Sequence, residues 1–124
     1  MINNAADKEF WDLVDGIGVQ YDSNERMRSG GIKTALRVAE QIAVNEREGL
    51  TTPLLKYLKD IAARNGPTID EIDRTCGACL LLGHWRIQEA VPTISRFLKV
   101  HYAKPPRAAL DSLEMITSTG SQGA

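Results

Sequence analysis

Apolar residues recur along this chain with the period of a helix and nowhere with the strict alternation of a strand, which confines it to the all-α class. Phe10, Leu13, Val14 and Ile17 form the first i, i+3, i+4, i+7 stripe, with Asn4 as its cap and Gly16 and Gly18 as its end. Residues 19–31 are polar and rich in turn formers, with at most a helical turn from Ser23. Residues 32–44 predict a second helix with Leu36, Ala39, Ile42 and Ala43 on one side, and residues 45–50 a polar connector. Thr52 then caps a helix whose first turn holds Pro53, where a missing N–H costs nothing. Its apolar face is Leu54, Leu55, Leu58, Ile61 and Ala62, and Asn65-Gly66 stops it. Thr68 with Glu71 three later is a capping box opening a helix through Ile72, Cys76, Cys79 and Leu82 to Gly83. Residues 89–102 predict another helix, with Pro92 in its first turn and Val91, Ile94, Phe97, Leu98 and His101 inward. Pro105-Pro106 starts a last helix carrying Leu110, Leu113 and Ile116. Leu82, Pro92 and Leu98 are expected in or beside one core.

About six helices in 124 residues make one domain, residues 1–118, followed by a flexible tail, 119–124. With 43% apolar and 25% charged residues the composition is that of a globular domain, and no apolar run approaches the ~20 residues that cross a bilayer. No membrane association is expected. The polar start lacks an export signal, which predicts a cytoplasmic protein whose two cysteines are reduced thiols. Charge is unevenly spread. Asp7, Glu9, Asp12, Asp15, Asp22 and Glu25 face Lys8 alone at the N-terminal end, whereas Arg86, Arg96, Lys99, Lys104 and Arg107 face only Glu89 between residues 85 and 107.

A shift of 40 superimposes Leu36, Ala39, Ile42 and Ala43 on Cys76, Cys79, Leu82 and Gly83. The same shift puts Leu54, Tyr57, Leu58 and Lys59 on Ile94, Phe97, Leu98 and Lys99, and a shift of 34 puts Leu110, Leu113 and Ile116 on Cys76, Cys79 and Leu82. Arg74, Ala78, Leu82-Gly83, then Ala90-Val91-Pro92, Ile94 and Leu98 resemble one HEAT-type helical repeat. The likeness covers residues 33–118 in part, is fullest over 73–102, and leaves residues 1–32 outside. It implies a short stack of helix pairs, an α-solenoid fragment; an irregular helical bundle is the alternative, because fewer than three repeats are complete and Arg86-Ile87 stands where a turn aspartate is usual.

The segment from Cys76 to His84 carries the chemistry-bearing residue types. A zinc site would draw on Cys76, Cys79, His84 and His101, but structural half sites sit on turns and this Cys-x-x-Cys lies inside a helix, so no metal and no cofactor is expected. A thioredoxin-like site needs a strand before the helix, and none is present. Glu71, Cys76, Cys79 and His84 are similar in type and order to the all-helical alkylhydroperoxidase D and carboxymuconolactone decarboxylase group, which implies thiol peroxidase chemistry on those four residues. Here the histidine follows the second cysteine by five rather than four, turning it roughly 100° around the helix. Against both stands simple packing: Cys76, Gly77, Ala78 and Cys79 are all small and let a neighbouring helix approach closely. The packing reading is preferred.

The function expected is therefore a non-catalytic, macromolecule-binding module: an adaptor or an inhibitor, for instance a toxin-neutralising immunity protein. The partner expected is another protein; thiol peroxidase activity, nucleic-acid contact through a basic helical face, and a homodimer are the alternatives. Two surfaces are candidates. One is basic, with Lys56, Lys59 and Arg64 on one helix beside Thr93, Arg96 and Lys99 on another, Lys59 and Lys99 being equivalent in the shift of 40. The other is acidic, centred on Asp12 and Asp15. The remaining carboxylates, Asp70, Glu71 and Asp73, stand in a helix's first turn, where they complement the dipole.

Overall fold

The computed structural model describes residues 8–100 and 102–118. The Asn4 cap, the residue Asp7, the ligand candidate His101 and the tail 119–124 lie outside the described residues. Six α-helices follow one another: α1 (Lys8–Gln20), α2 (Glu25–Gln41), α3 (Val44–Ala63), α4 (Ile72–His84), α5 (Val91–Ser95) and α6 (Lys104–Thr117). Short 3₁₀ turns precede α4 (Ile69–Glu71) and flank α5 (Gln88–Ala90 and Arg96–Lys99), and no strand occurs among the described residues. None of these helices is long and apolar enough to cross a membrane.

Helix α4 is the centre of the molecule. Every residue from Thr75 to Gly83 is buried, so it is apolar on all sides, as a helix enclosed by others must be. α1, α2, α3 and α6 pack on it, and α5 lies against α3 and α6. Glycine makes the tightest of these crossings. A Cβ on Gly77 would collide with the Val14 carbonyl, and one on Gly18 with the Asp73 carbonyl, so α1 and α4 touch backbone to backbone. On the α6 side the Ser112 hydroxyl donates to the Cys79 carbonyl at 2.6 Å, satisfying a polar group that would otherwise be stranded in the core.

Several element boundaries differ from the sequence expectation. α1 continues through Gly16 and Gly18 to Gln20, because Gly18 is a packing contact rather than a stop. α2 begins at Glu25, not residue 32: the Asn24 side chain accepts the Met27 N–H at 3.0 Å and nucleates the helix a full two turns earlier. The expected connector 45–50 is the start of α3, and Pro53 lies inside that helix. Leu50, Thr51, Leu54 and Leu55 are buried on either side of the proline, so packing outweighs the one backbone hydrogen bond that Pro53 removes. The helix expected over 89–102 is shorter and tighter, ending at Lys99 as a 3₁₀ turn.

Burial follows these corrections. Leu82 is fully buried, but Pro92 is exposed and Leu98 is 41% exposed, since the 3₁₀ turn keeps Ala90, Ile94 and Phe97 inward and swings Leu98 out. In α2 and its C-cap the buried stripe is Ala35, Val38, Ala39 and Ile42, with Leu36 and, past the cap, Ala43 exposed; in α6 it is Ala108, Ala109, Ser112 and Ile116, with Leu110 exposed and Leu113 half-buried. Among positions superimposed by the shift of 40, Ala39 and Cys79, Ile42 and Leu82, and Leu54 and Ile94 share a buried environment, while Leu36 and Cys76, Ala43 and Gly83, Tyr57 and Phe97, and Leu58 and Leu98 do not.

The ends of α3 and α4 use one device. Gly66 N–H donates to Ile61 O and Asn65 N–H to Ala62 O, each at 3.1 Å, with Asn65 at φ 73. Ile87 N–H donates to Leu82 O and Arg86 N–H to Gly83 O, with Arg86 at φ 53. Both are Schellman caps with a left-handed residue that is not glycine.

Candidate functional site

The thiols are sealed. Cys76 and Cys79 are each 0% exposed and unpaired with one another, and burial pushes the Cys76 thiol up to about 12 and the Cys79 thiol well above its ordinary value. A thiolate is the reactive form, and this environment suppresses it. His84 is turned toward α2, where its Nε2–H donates to the Ile32 carbonyl at 3.0 Å, and burial holds its pKa below the usual value. Glu71 closes the capping box, its Oε1 accepting from the Thr68 N–H at 2.9 Å, while its Oε2 is 2.7 Å from Arg64; that guanidinium, first, and the Thr68 N–H hold its carboxyl below the usual range. Of the four residues named for peroxidase chemistry, the two thiols are enclosed and His84 and Glu71 are bonded elsewhere. Among the described residues no cluster of three or more His, Cys, Asp or Glu is arranged to hold a metal.

The acidic candidates divide. Asp12 pairs with Lys8 on the surface at 2.9 Å. Asp15 receives two hydrogen bonds from Arg74, which also lies 5.0 Å over the Trp11 ring; Trp11 in turn meets Tyr57 at 5.5 Å with the rings tilted by 54°. Beside them a hollow of about 390 Å³ is lined by Asp15, Tyr57, Asp70, Glu71, Asp73 and Arg74. Its charges are largely compensated, since Asp73 is 2.8 Å from Lys104 and Glu71 is held by Arg64. Sequence reasoning missed Trp11 and Tyr57 as members of this group, because α1, α3 and α4 contribute one ring or charge each and no local spacing links them.

A second constellation was also invisible in the sequence. The buried Asp111 carboxylate accepts the Tyr21 hydroxyl at 2.6 Å and lies 3.3 Å from Arg28 Nε and 3.1 Å from Arg107 Nη2. It ties the start of α2 to α6.

The basic candidates are only partly united. Lys56 is paired with Asp60 at 3.2 Å and Arg64 with Glu71, while Lys59, Arg96 and Lys99 are exposed and form no ion pair with any described residue. Arg96 and Lys99 line an open groove of about 780 Å³ between the end of α3 (Ala62, Asn65, Gly66) and residues 95–100. Lys59, expected as the partner of Lys99 in a charge ladder, is not among its walls. No carboxylate lines it among the described residues.

Compared with protein families, with curated proteins and with solved structures, the chain finds no match.

Proposed function

We propose that this chain is a non-catalytic protein-binding module, an adaptor or an inhibitor, acting in the cytosol through the groove at the end of α3. One contrast carries the reading: the two thiols are sealed inside α4, whereas Arg96 and Lys99 stand exposed and unpaired beside an open groove. Unpaired cations at an open groove are free to meet a partner, and an enclosed thiol is not. The chain order α2 to α6 is what two HEAT-like pairs and a half pair would need, but α2 and α3, and α4 and α5, barely touch each other; with α1, α2, α3 and α6 enclosing α4, the packing favours the irregular helical bundle, whose surface carries the groove. A toxin-neutralising immunity protein is one concrete form this takes.

The test is affinity capture from the source lysate with identification by mass spectrometry, followed by titration calorimetry with the purified partner. A stoichiometric complex is expected. Failure of any captured protein to bind when purified, together with peroxide consumption abolished by Cys76→Ala, would replace this reading with the thiol peroxidase.

A further inference from the structure

We infer that the groove between the end of α3 and residues 95–100 receives an extended, acidic peptide segment of the partner, bearing an apolar side chain next to its carboxylates. This rests on the reading as a protein-binding module and assigns the chemistry of what it binds.

The turn Arg96–Lys99 sets the spacing of the groove's charges. In a 3₁₀ helix residues three apart eclipse, so Arg96 and Lys99 project from the same side, separated by about 6 Å along the axis. Phe97 falls on the face toward the core, where it is fully buried with Ile94, and Leu98 falls on the third face, 41% exposed. One wall of the groove therefore carries two aligned cations with an accessible leucine beside them. Side chains at alternate positions of an extended strand recur about 6.7 Å apart on one face. Two carboxylates at positions i and i+2 of such a segment match the spacing of the two cations. The groove offers them no competing carboxylate among the described residues.

The facing wall is shaped for backbone rather than for a bulky ligand. It consists of Ala62, Asn65 and Gly66, and Val100 packs against the bare Cα of Gly66, whose φ of 125° excludes a side chain. A volume of about 780 Å³ lies within the range that encloses small ligands and short segments. A phosphate backbone would satisfy the cations as well, but sequence-tolerant binding of single strands uses aromatic platforms, and among the described residues the one ring lining this groove, Phe97, is buried.

The test is selection of a random-peptide phage library on the folded protein, with an Arg96→Glu/Lys99→Glu variant as counter-target; both side chains are exposed, and circular dichroism verifies the fold. The expected consensus places Asp or Glu at i and i+2 with an apolar neighbour. The corresponding synthetic peptide should bind with an affinity that falls as salt rises, drops roughly tenfold or more in the charge-reversed variant, and drops in Leu98→Ser without a change in salt dependence. No enrichment, a consensus without acidic residues, or equal enrichment on the variant overturns the inference. Groove-dependent binding of oligothymidylate in place of any acidic peptide overturns it in favour of a nucleic acid. If the captured partner binds the charge-reversed variant as tightly as the original protein, the groove is wrong and the binding-module reading survives; if neither partner nor peptide is found, both fall.

Discussion

The carboxylate of Asp15 accepts two hydrogen bonds from the guanidinium of Arg74, at 2.8 and 2.9 Å, joining α1 to α4 across 59 positions of the chain. Both side chains are more than a third exposed, so the bidentate geometry matters more than the nominal charge. A double-mutant cycle with Asp15→Ala and Arg74→Ala, read by urea unfolding, should give a coupling of up to about 1 kcal/mol, smaller in high salt. Arg74→Ala alone should cost more than Asp15→Ala, because it also uncovers the Trp11 ring.

Gly77 and Gly16 predict opposite responses to the same substitution. Alanine gains about 1 kcal/mol over glycine in a helix interior. Around Gly16 nothing lies within 4 Å, so Gly16→Ala should raise the melting temperature. At Gly77 the added methyl meets the Val14 carbonyl, and α1 must move away as a body. Gly77→Ala should therefore destabilise by about 1–3 kcal/mol in thermal or urea unfolding.

Arg86 occupies the left-handed position of a Schellman cap at φ 53, where an L side chain is strained and glycine is not. Arg86→Gly should stabilise the protein by up to about 1 kcal/mol, provided the exposed guanidinium contributes nothing else. A fall in stability would mean that it does.

The thiols give a pH dependence of definite sign. Folding raises both pKa values, Cys76 from 9.0 to about 12, so the folded state holds protons that the unfolded state has lost. This contribution is fully present below pH 9 and declines as pH rises above it, for Cys76 toward about 12. Denaturant melts should show stability falling above pH 9, less steeply in Cys76→Ala. Labelling by iodoacetamide at pH 8 should be slow in the native protein and fast in urea; rapid native labelling would show that α4 opens.

The elements legible in the sequence are those settled by neighbours in the chain. The Thr68–Glu71 capping box, the start of α6 at Pro105-Pro106 and the stop at Asn65-Gly66 all depend on contacts three to five residues apart, and so does the helical class itself. The packing role of Cys76 to Cys79 was likewise readable from their size. Tertiary structure decided the rest. Pro53 sits inside α3 because Leu50 and Leu54 are buried on both sides of it, a gain from distant helices that outweighs a local penalty. Leu36 and Leu110 match the helical period yet face outward, since small residues let α2 and α6 pack more closely than leucines would, and Leu98 faces outward because its turn is 3₁₀. The same holds for the candidate sites. Asp15 finds Arg74, Asp111 finds Tyr21, and Arg96 with Lys99 finds the end of α3 only through the packing of helices on α4. Local propensity fixes which residues coil; which of their faces meet is set by burial summed over the whole chain.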